Sequence, residues 1–489
     1  MTEQLVVEQV GPGAEQAASG ASFFRNIIVF SASNLFYLVV TSGMTFVVPK
    51  WLSIDDFAMY RYFLLFGGFA GALHLGAVDG ALMSWVDEPS VNLRRGWMPL
   101  VEYMVLLHVI VLAIGAAIVL GFTHGSTRSV WLLILVLLPV ANAIALSQYA
   151  LQSVRRFSLL SALTAILPLG TLAFVVFLHS LHRATGRAVI GSYLLSNALV
   201  ALIGVLALKP NVSWAPVALG TSLRTARDYI ILGWSVLVFN LLANFIGSAD
   251  RFFIVAEFST HDFAMYSFAG AIFYSIFLVM LSVSKVVFPY LAGAATATRK
   301  IPYARVREAL LILWAFSMAF YFPICYVIRR FLPRYSTSLP LVRLLLLATA
   351  AIMFIQILHA NYFRLLRRQH SMTIAAVAGG AATALSLLYA QRLHSLSAMA
   401  VATVIGCTLW FTFGELMLLR FMESSAVALL RTFVGVAVFM AIFLFASADG
   451  RSLVAGTLLQ LSLSAAATVA VFWPTLRSIR SVVVSRRPA

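Results

Sequence analysis

Apolar runs long enough to cross a bilayer recur along this chain from one end to the other. A transmembrane helix needs about 20 mostly apolar residues. Such runs lie near 24–48, 58–86, 99–122, 130–153, 157–179, 188–208 and 228–256. They continue near 265–291, 306–332, 340–363, 372–391, 396–419, 427–447 and 453–474. The spacing predicts an all-α polytopic membrane protein with about 14 transmembrane helices. The longest polar connection, 209–227, is too short to fold alone. Composition agrees, with 62% hydrophobic and 10% charged residues and a mean hydropathy of +0.96. A soluble domain carries about 25% charged residues, so a soluble enzyme is excluded.

The charge is lopsided: 34 Lys and Arg against 17 Asp and Glu, a formal +17. In a membrane protein such an excess first reads as topology, because cytoplasmic loops collect Lys and Arg. Nucleic acid is therefore not an expected partner. A cationic interior matched to an anionic substrate is the second contribution. With the N-terminus inside, Arg94, Arg95, Arg155, Arg156, Lys209, Arg224, Arg227, Arg299, Lys300, Arg305, Arg307, Arg364, Arg367 and Arg368 fall on the cytoplasmic side, and both termini are cytoplasmic. The outer segment carrying Arg329, Arg330, Arg334 and Arg343 runs against this bias. Residues 1–22 have neither the basic start nor the apolar stretch of a signal peptide and read as a disordered cytoplasmic tail. Cys325 and Cys407 lie inside apolar runs and suggest neither a disulfide framework nor a metal site.

An internal repeat organises the chain. Residues 56–60 and 262–266 both read Asp-Phe-Ala-Met-Tyr, an offset of 206 residues, and Ser53/Ser259 and Asn34/Asn240 match at the same offset. Both copies follow the first helix of a six-helix set, and an even number of helices gives halves of the same orientation, related by an axis along the membrane normal. The expected plan is two parallel six-helix halves (6+6) plus a C-terminal helix pair. Its parts are 1–22 tail, 23–208 N-terminal half, 209–227 linker, 228–419 C-terminal half, 420–474 helix pair and 475–489 basic tail. Parallel halves usually enclose a central cavity open alternately to either side, so transport is the leading functional class.

Ionisable groups inside a membrane are costly and tend to face a bundle interior or a wet cavity. The candidates are His74, Asp79, Asp250, Arg251, Lys285, His359 and Glu415. Asn240, Asn244, Gly247 and Arg251 share one helical face, and the repeat-related face of the first helix carries Asn34, Leu38, Thr41 and Thr45. These stripes either line a cavity or hydrogen-bond neighbouring helices. Arg251 and Lys285 are the expected anion binders, Arg through its fork and Lys as a mobile point charge. A local pair with Asp250, or snorkelling, is the alternative for Arg251, and snorkelling inward is the alternative for Lys285. Asp79, Asp250 and His74 are candidates for ion coupling, since desolvation makes carboxylates titratable and His titrates near neutrality. A structural ion pair or a hydrogen-bonded carboxyl is the other reading of Asp79. His359 and Glu415 are candidate lining only. No phosphate-binding loop, zinc-protease helix or hydrolase nucleophile elbow occurs. The chain is therefore expected not to be an enzyme and to use no cofactor.

Several segments carry a family likeness. Ser33-Asn34-Leu35-Phe36-Tyr37, Pro49-Lys50-Trp51-Leu52-Ser53 with the repeated loop, residues 71–80 and Asp250-Arg251-Phe252-Phe253-Ile254 resemble bacterial polysaccharide repeat-unit flippases. These belong to the multidrug, oligosaccharidyl-lipid and polysaccharide exporter superfamily. The resemblance implies alternating access and translocation of an undecaprenyl-diphosphate-linked oligosaccharide from the inner to the outer leaflet of a bacterial inner membrane. The product would feed O-antigen, capsule or exopolysaccharide synthesis, with a polysaccharide polymerase and a chain-length regulator as partners. A cation-coupled drug antiporter of the same superfamily and a membrane polymerase or glycosyltransferase are the rival readings.

Overall fold

The computed structural model describes residue 33, residues 36–276 apart from 88 and 155, residue 280, and residues 303–484 apart from 367, 423–425 and 449. Asn34, Lys285 and the N-terminal tail lie outside the described residues. In chain order the helices are α1 (36–51), α2 (Ile54–Gly67), α3 (Ala77–Asp87), α4 (Pro89–Phe122), α5 (Gly125–Ser153), α6 (Phe157–Ser180) and α7 (Gly186–Leu208). They continue with α8 (Leu219–Ile246), α9 (Ala249–Glu257), α10 (260–276), α11 (Tyr303–Ser317), α12 (Tyr321–Phe331), α13 (Leu339–Met353) and α14 (Ala360–Leu365). The last four are α15 (Gln369–Gln391), α16 (Leu396–Leu419), α17 (Ala426–Ala446) and α18 (Leu453–Val484). No strand occurs among the described residues.

Every apolar run read from the sequence is mainly helical where it is described, with breaks at 68–69, 75–76 and 247–248. Eleven helical spans are long and apolar enough to cross a membrane, or twelve if the bent pair around residue 75 counts as one. The expected number was about 14; the remaining runs, 36–51 and 260–276, are shorter over their described residues. Val105, Val109, Ile114 and Ile118 on α4 are exposed, as lipid-facing side chains must be. The span Pro333–Leu365 is the opposite case, with 89% of its apolar window enclosed by protein.

The two Asp-Phe-Ala-Met-Tyr copies adopt one geometry. Ser53 caps α2: its hydroxyl accepts from the Asp56 amide at 3.1 Å and donates to the Asp56 carboxylate at 2.9 Å. Ser259 does the same for Asp262, at 3.1 Å and 2.7 Å. A serine that takes one of the orphan amides of a first turn is a strong helix start. The next repeat-related loop also matches. His182 and His394 both sit at positive φ, and Thr185 and Ser395 then cap α7 and α16. Phe57 of the first copy packs edge-on against Phe268, on the helix that carries the second copy, and against Tyr335.

Helix breaks occur where the chain must serve two environments. Between α2 and α3 a short 3₁₀ turn, Ala70–His74, leads to Leu75 (φ 56°) and Gly76 (φ 88°), bending the span by 53°. Asn142 from α5 donates to the freed Ala70 carbonyl at 2.8 Å, the compensation a broken intramembrane helix requires. Beyond the break α3 lies directly on α8. A methyl group on Gly80 would strike the Tyr229 carbonyl, and one on Gly233 would strike the Gly76 carbonyl; only small residues allow this approach. A π-helical turn, Phe354–His359, joins α13 to α14. Such turns rotate the following residues and frequently mark functional places.

Candidate functional site

A cavity of about 510 Å³ is lined by residues of α1, α2 and α5–α7 together with residues of α8–α10, α13, the π-turn, α14 and α16. The polar stripe read at 240–251 faces it: Asn240, Asn244 and Gly247 from α8 and its end and Arg251 from α9 all line the wall. Thr41 and Thr45 of the repeat-related stripe line it from α1, whereas Leu38 is buried away from the wall. Cavity lining and interhelical bonding coexist here. Asn244 donates to the Gly68 carbonyl at 3.0 Å, and Thr45 and Ser275 hydroxyls stand 3.5 Å apart.

Sequence reasoning missed several groups. Arg61 on α2, Gln356 in the π-turn and Arg364 on α14 line the cavity, with Tyr37, Tyr60, Tyr193, Tyr274 and Trp410. The residues on this wall include three arginines and neither Asp nor Glu. Arg61 has a buried Nε with no hydrogen-bond partner, so its charge is not answered by the protein there. Arg364, placed on the cytoplasmic side by the charge pattern, stands on the cavity wall because α14 continues the span past the π-turn.

Arg251 does two things at once. Its Nη2 donates to the Gly247 carbonyl, and its Nε is 3.5 Å from the Asp250 carboxylate. Asp250 is buried behind the wall, where it also accepts from Tyr266 Oη at 2.8 Å and Thr403 Oγ1 at 3.2 Å. The local pair and the cavity position, alternatives in sequence terms, are both present.

The other two ion-coupling candidates stand elsewhere. Asp79 and His74 are buried near the α3–α8 contact, not on the cavity wall. Tyr149 Oη donates to Asp79 at 3.3 Å, His74 Nε2 is 3.8 Å from its other oxygen, and His74 Nδ1 accepts from the Gly76 amide at 3.0 Å. Gly76 and Gly80, which flank Asp79, press directly on α8.

His359 and Glu415, read as lining, are not on the wall either. Glu415 is fully buried and accepts from Arg307, from Tyr303 Oη at 2.7 Å and pairs with His359 Nε2 at 3.0 Å. Arg307, placed on the cytoplasmic side by the charge pattern and at the start of the run 306–332, is 0% exposed. Because α11 begins at Tyr303, this arginine lies in its first turns and is carried into the bundle. Of the arginines that ran against the charge bias, Arg343 donates to Ser447 Oγ at 2.8 Å and to the Leu444 carbonyl at 2.6 Å, closing the end of α17. Among the described residues no group of three or more His, Cys, Asp or Glu is arranged to hold a metal.

No family model matches this chain, and no curated protein matches it by sequence. The backbone does match solved structures. The lipid II flippase MurJ, in an inward closed conformation, superposes with a TM-score of 0.70 at 12% identity, over 92% of this chain and 99% of that one. The fold is that of the MurJ and MATE transporters. An inward-facing multidrug resistance MATE transporter of the MOP superfamily gives 0.57 at 13% identity, over 82% of this chain and all of that one. An outward-facing one gives 0.58 at 12% identity, over 84% and 96%. This MurJ/MATE-like chain is thus a multi-pass membrane protein.

Proposed function

We propose that this protein is a flippase for a lipid-linked oligosaccharide. It carries undecaprenyl-diphosphate-linked repeat units from the cytoplasmic to the periplasmic leaflet of a bacterial inner membrane, by alternating access, for O-antigen, capsule or exopolysaccharide synthesis. The observation that carries this reading is the charge of the cavity: Arg61, Arg251 and Arg364 on a wall with neither Asp nor Glu. A diphosphate leaving water needs fixed cations and donors to replace its hydration, and arginine forks match its oxygens. Asn240, Asn244 and the wall tyrosines supply further donors and aromatic faces at the same surface. Asn34 and Lys285 are assigned to the same anion site from the repeat and the helix pattern. A polymerase and a chain-length regulator would receive the delivered units, and both termini of the transporter would be cytoplasmic.

The likeness to a lipid II flippase supports the reading. The MATE likeness raises cation-coupled drug export as the rival; a cationic drug would find no carboxylate on this wall. Depleting the protein and locating labelled lipid-linked oligosaccharide tests the proposal. Accumulation on the cytoplasmic side is the expected result. Normal flipping with unpolymerised units outside would instead indicate a polymerase.

A further inference from the structure

The most enclosed ionic group in the molecule has no part in the cavity wall. Glu415 on α16 and Arg307 on α11 are both 0% exposed, and His359, at the end of the π-turn, is 3% exposed. One Glu415 oxygen takes Arg307, the other takes Tyr303 Oη and His359 Nε2. A carboxylate can only accept, so His359 carries its proton on Nε2 and is the donor. Two further Arg307 nitrogens, Nε and Nη2, are buried with no partner, and a native structure seldom leaves such donors without a reason.

The surroundings are built to hold the imidazole on α16. Its ring stacks on Phe411 at 5.5 Å and 7°, and Phe354 from the start of the π-turn stacks on the same ring at 4.8 Å. Gly414 leaves room for it; a methyl group there would strike His359 Nδ1. The same π-turn places Gln356 on the cavity wall. One short segment therefore touches a buried carboxylate–imidazole pair on one side and the transport cavity on the other.

The other ionisable groups packed around the pair are accounted for. Glu308, next to Arg307, pairs with Arg431 of α17 at 3.4 Å. Tyr362 of α14 packs edge-on against Tyr303. Cys407 lies two turns before Glu415 on α16, and Asp250 is tied to Tyr266 and Thr403 nearer the start of that helix. Where α15 crosses α16, its contacts include Gly379 against Trp410 and Thr383 against Gly406. His359 supplies the imidazole, the one side-chain type whose unperturbed charge change lies between about pH 5 and 8.

We propose that the Glu415–His359 pair is a proton-binding site, and that the π-turn Phe354–His359 conveys its occupancy to the cavity. With a neutral imidazole the Glu415–Arg307–His359 cluster carries no net charge. A proton taken up on Nδ1 makes it net positive, and a net charge is far costlier in a dry enclosure than in a hydrated one. The proton therefore binds better when α16 and the π-turn have separated and water has entered, and acid shifts the population toward that open form. Release of the proton lets the segment close again. This names a coupling ion for the flippase reading and rests on that reading only for its use, because proton binding is measurable without substrate.

The test is hydrogen–deuterium exchange of the purified full chain in lipid nanodiscs from pH 5.5 to 8.5, with rates corrected for intrinsic exchange. The wild type should lose about tenfold protection over 354–365 at acid pH, the size of a modest local opening. His359→Gln keeps a neutral donor to Glu415 and cannot take the proton, so its protection should stay high and flat. Glu415→Gln should abolish the pH step as well; if that variant does not fold, His359→Gln decides alone. A wild type without a pH step, or an unchanged step in His359→Gln, overturns the proposal. Loss of the flippase reading with the pH step intact would leave a proton site in a transporter of another substrate.

Discussion

Removing the Glu415 carboxylate is the most discriminating perturbation of the fold. Arg307 is fully buried and Glu415 is its ion-pair partner among the described residues; two of its nitrogens are already without partners. Glu415→Leu therefore strands a guanidinium inside the bundle, a change that typically costs about 3–5 kcal/mol. At about 1.4 kcal/mol per factor of ten, the folded-to-unfolded ratio falls by about two to three and a half decades. Arg307→Met is expected to cost less, because Tyr303 and His359 still donate to the carboxylate. The double variant removes both charges and should regain most of the loss, as well-packed apolar replacements of buried pairs do. The assay is a double-mutant cycle on thermal unfolding in one defined detergent, with folded yield from size exclusion as a second reading. A Glu415→Leu cost below about 1 kcal/mol, the range of an exposed pair, would refute the reasoning. So would a double variant as unstable as the sum of the two singles.

Three further outcomes follow from other parts of the structure. Arg61→Ala and Arg251→Ala should each abolish polymer export at normal protein levels, while Arg251→Lys keeps part of it, because the charge survives and the fork does not; wild-type export from both alanine variants would remove the anion site. Ser53→Ala and Ser259→Ala should each cost about 0.5–2 kcal/mol in unfolding, to similar extents, since the two caps share one geometry. Asp56→Ala should cost more than Asp262→Ala, because Asp56 also accepts from the Gly186 amide at 2.7 Å. Gly233→Val should force α3 and α8 apart, exposing a buried Ala226→Cys probe to a thiol reagent in a background lacking Cys325 and Cys407; an unreactive probe would contradict the close contact.

Much of this was legible in the residues themselves. Periodicity puts Asn240, Asn244 and Arg251 on one face, and the cavity receives that face, because a 3.6-residue repeat needs no knowledge of neighbours. The repeated loop likewise announces its own helix caps. What sequence spacing cannot carry is pairing between distant helices. Arg307 and Glu415 are 108 residues apart, and the positive-inside pattern assigns such an arginine to a loop. Arg61 and Arg364 were passed over for a related reason: each enters the cavity through a helix whose ends depend on a break or a π-turn. The glycine-rich surroundings of Asp79 were visible, yet their partner on α8 was not.

The backbone contact between α3 and α8 has a consequence for energetics. Where Gly76 and Gly80 meet Gly233, the surfaces that touch are largely main chain, and glycine has no rotamers to freeze. Bringing these faces together orders few side chains, whereas an interface of long side chains can cost up to about 1.5–2 kcal/mol for each one immobilised. Around the glycines, Ala77, Val78, Ala81 and Trp85 of α3 and Ala226 of α8 are buried, so the contact gains apolar burial at little cost in side-chain freedom.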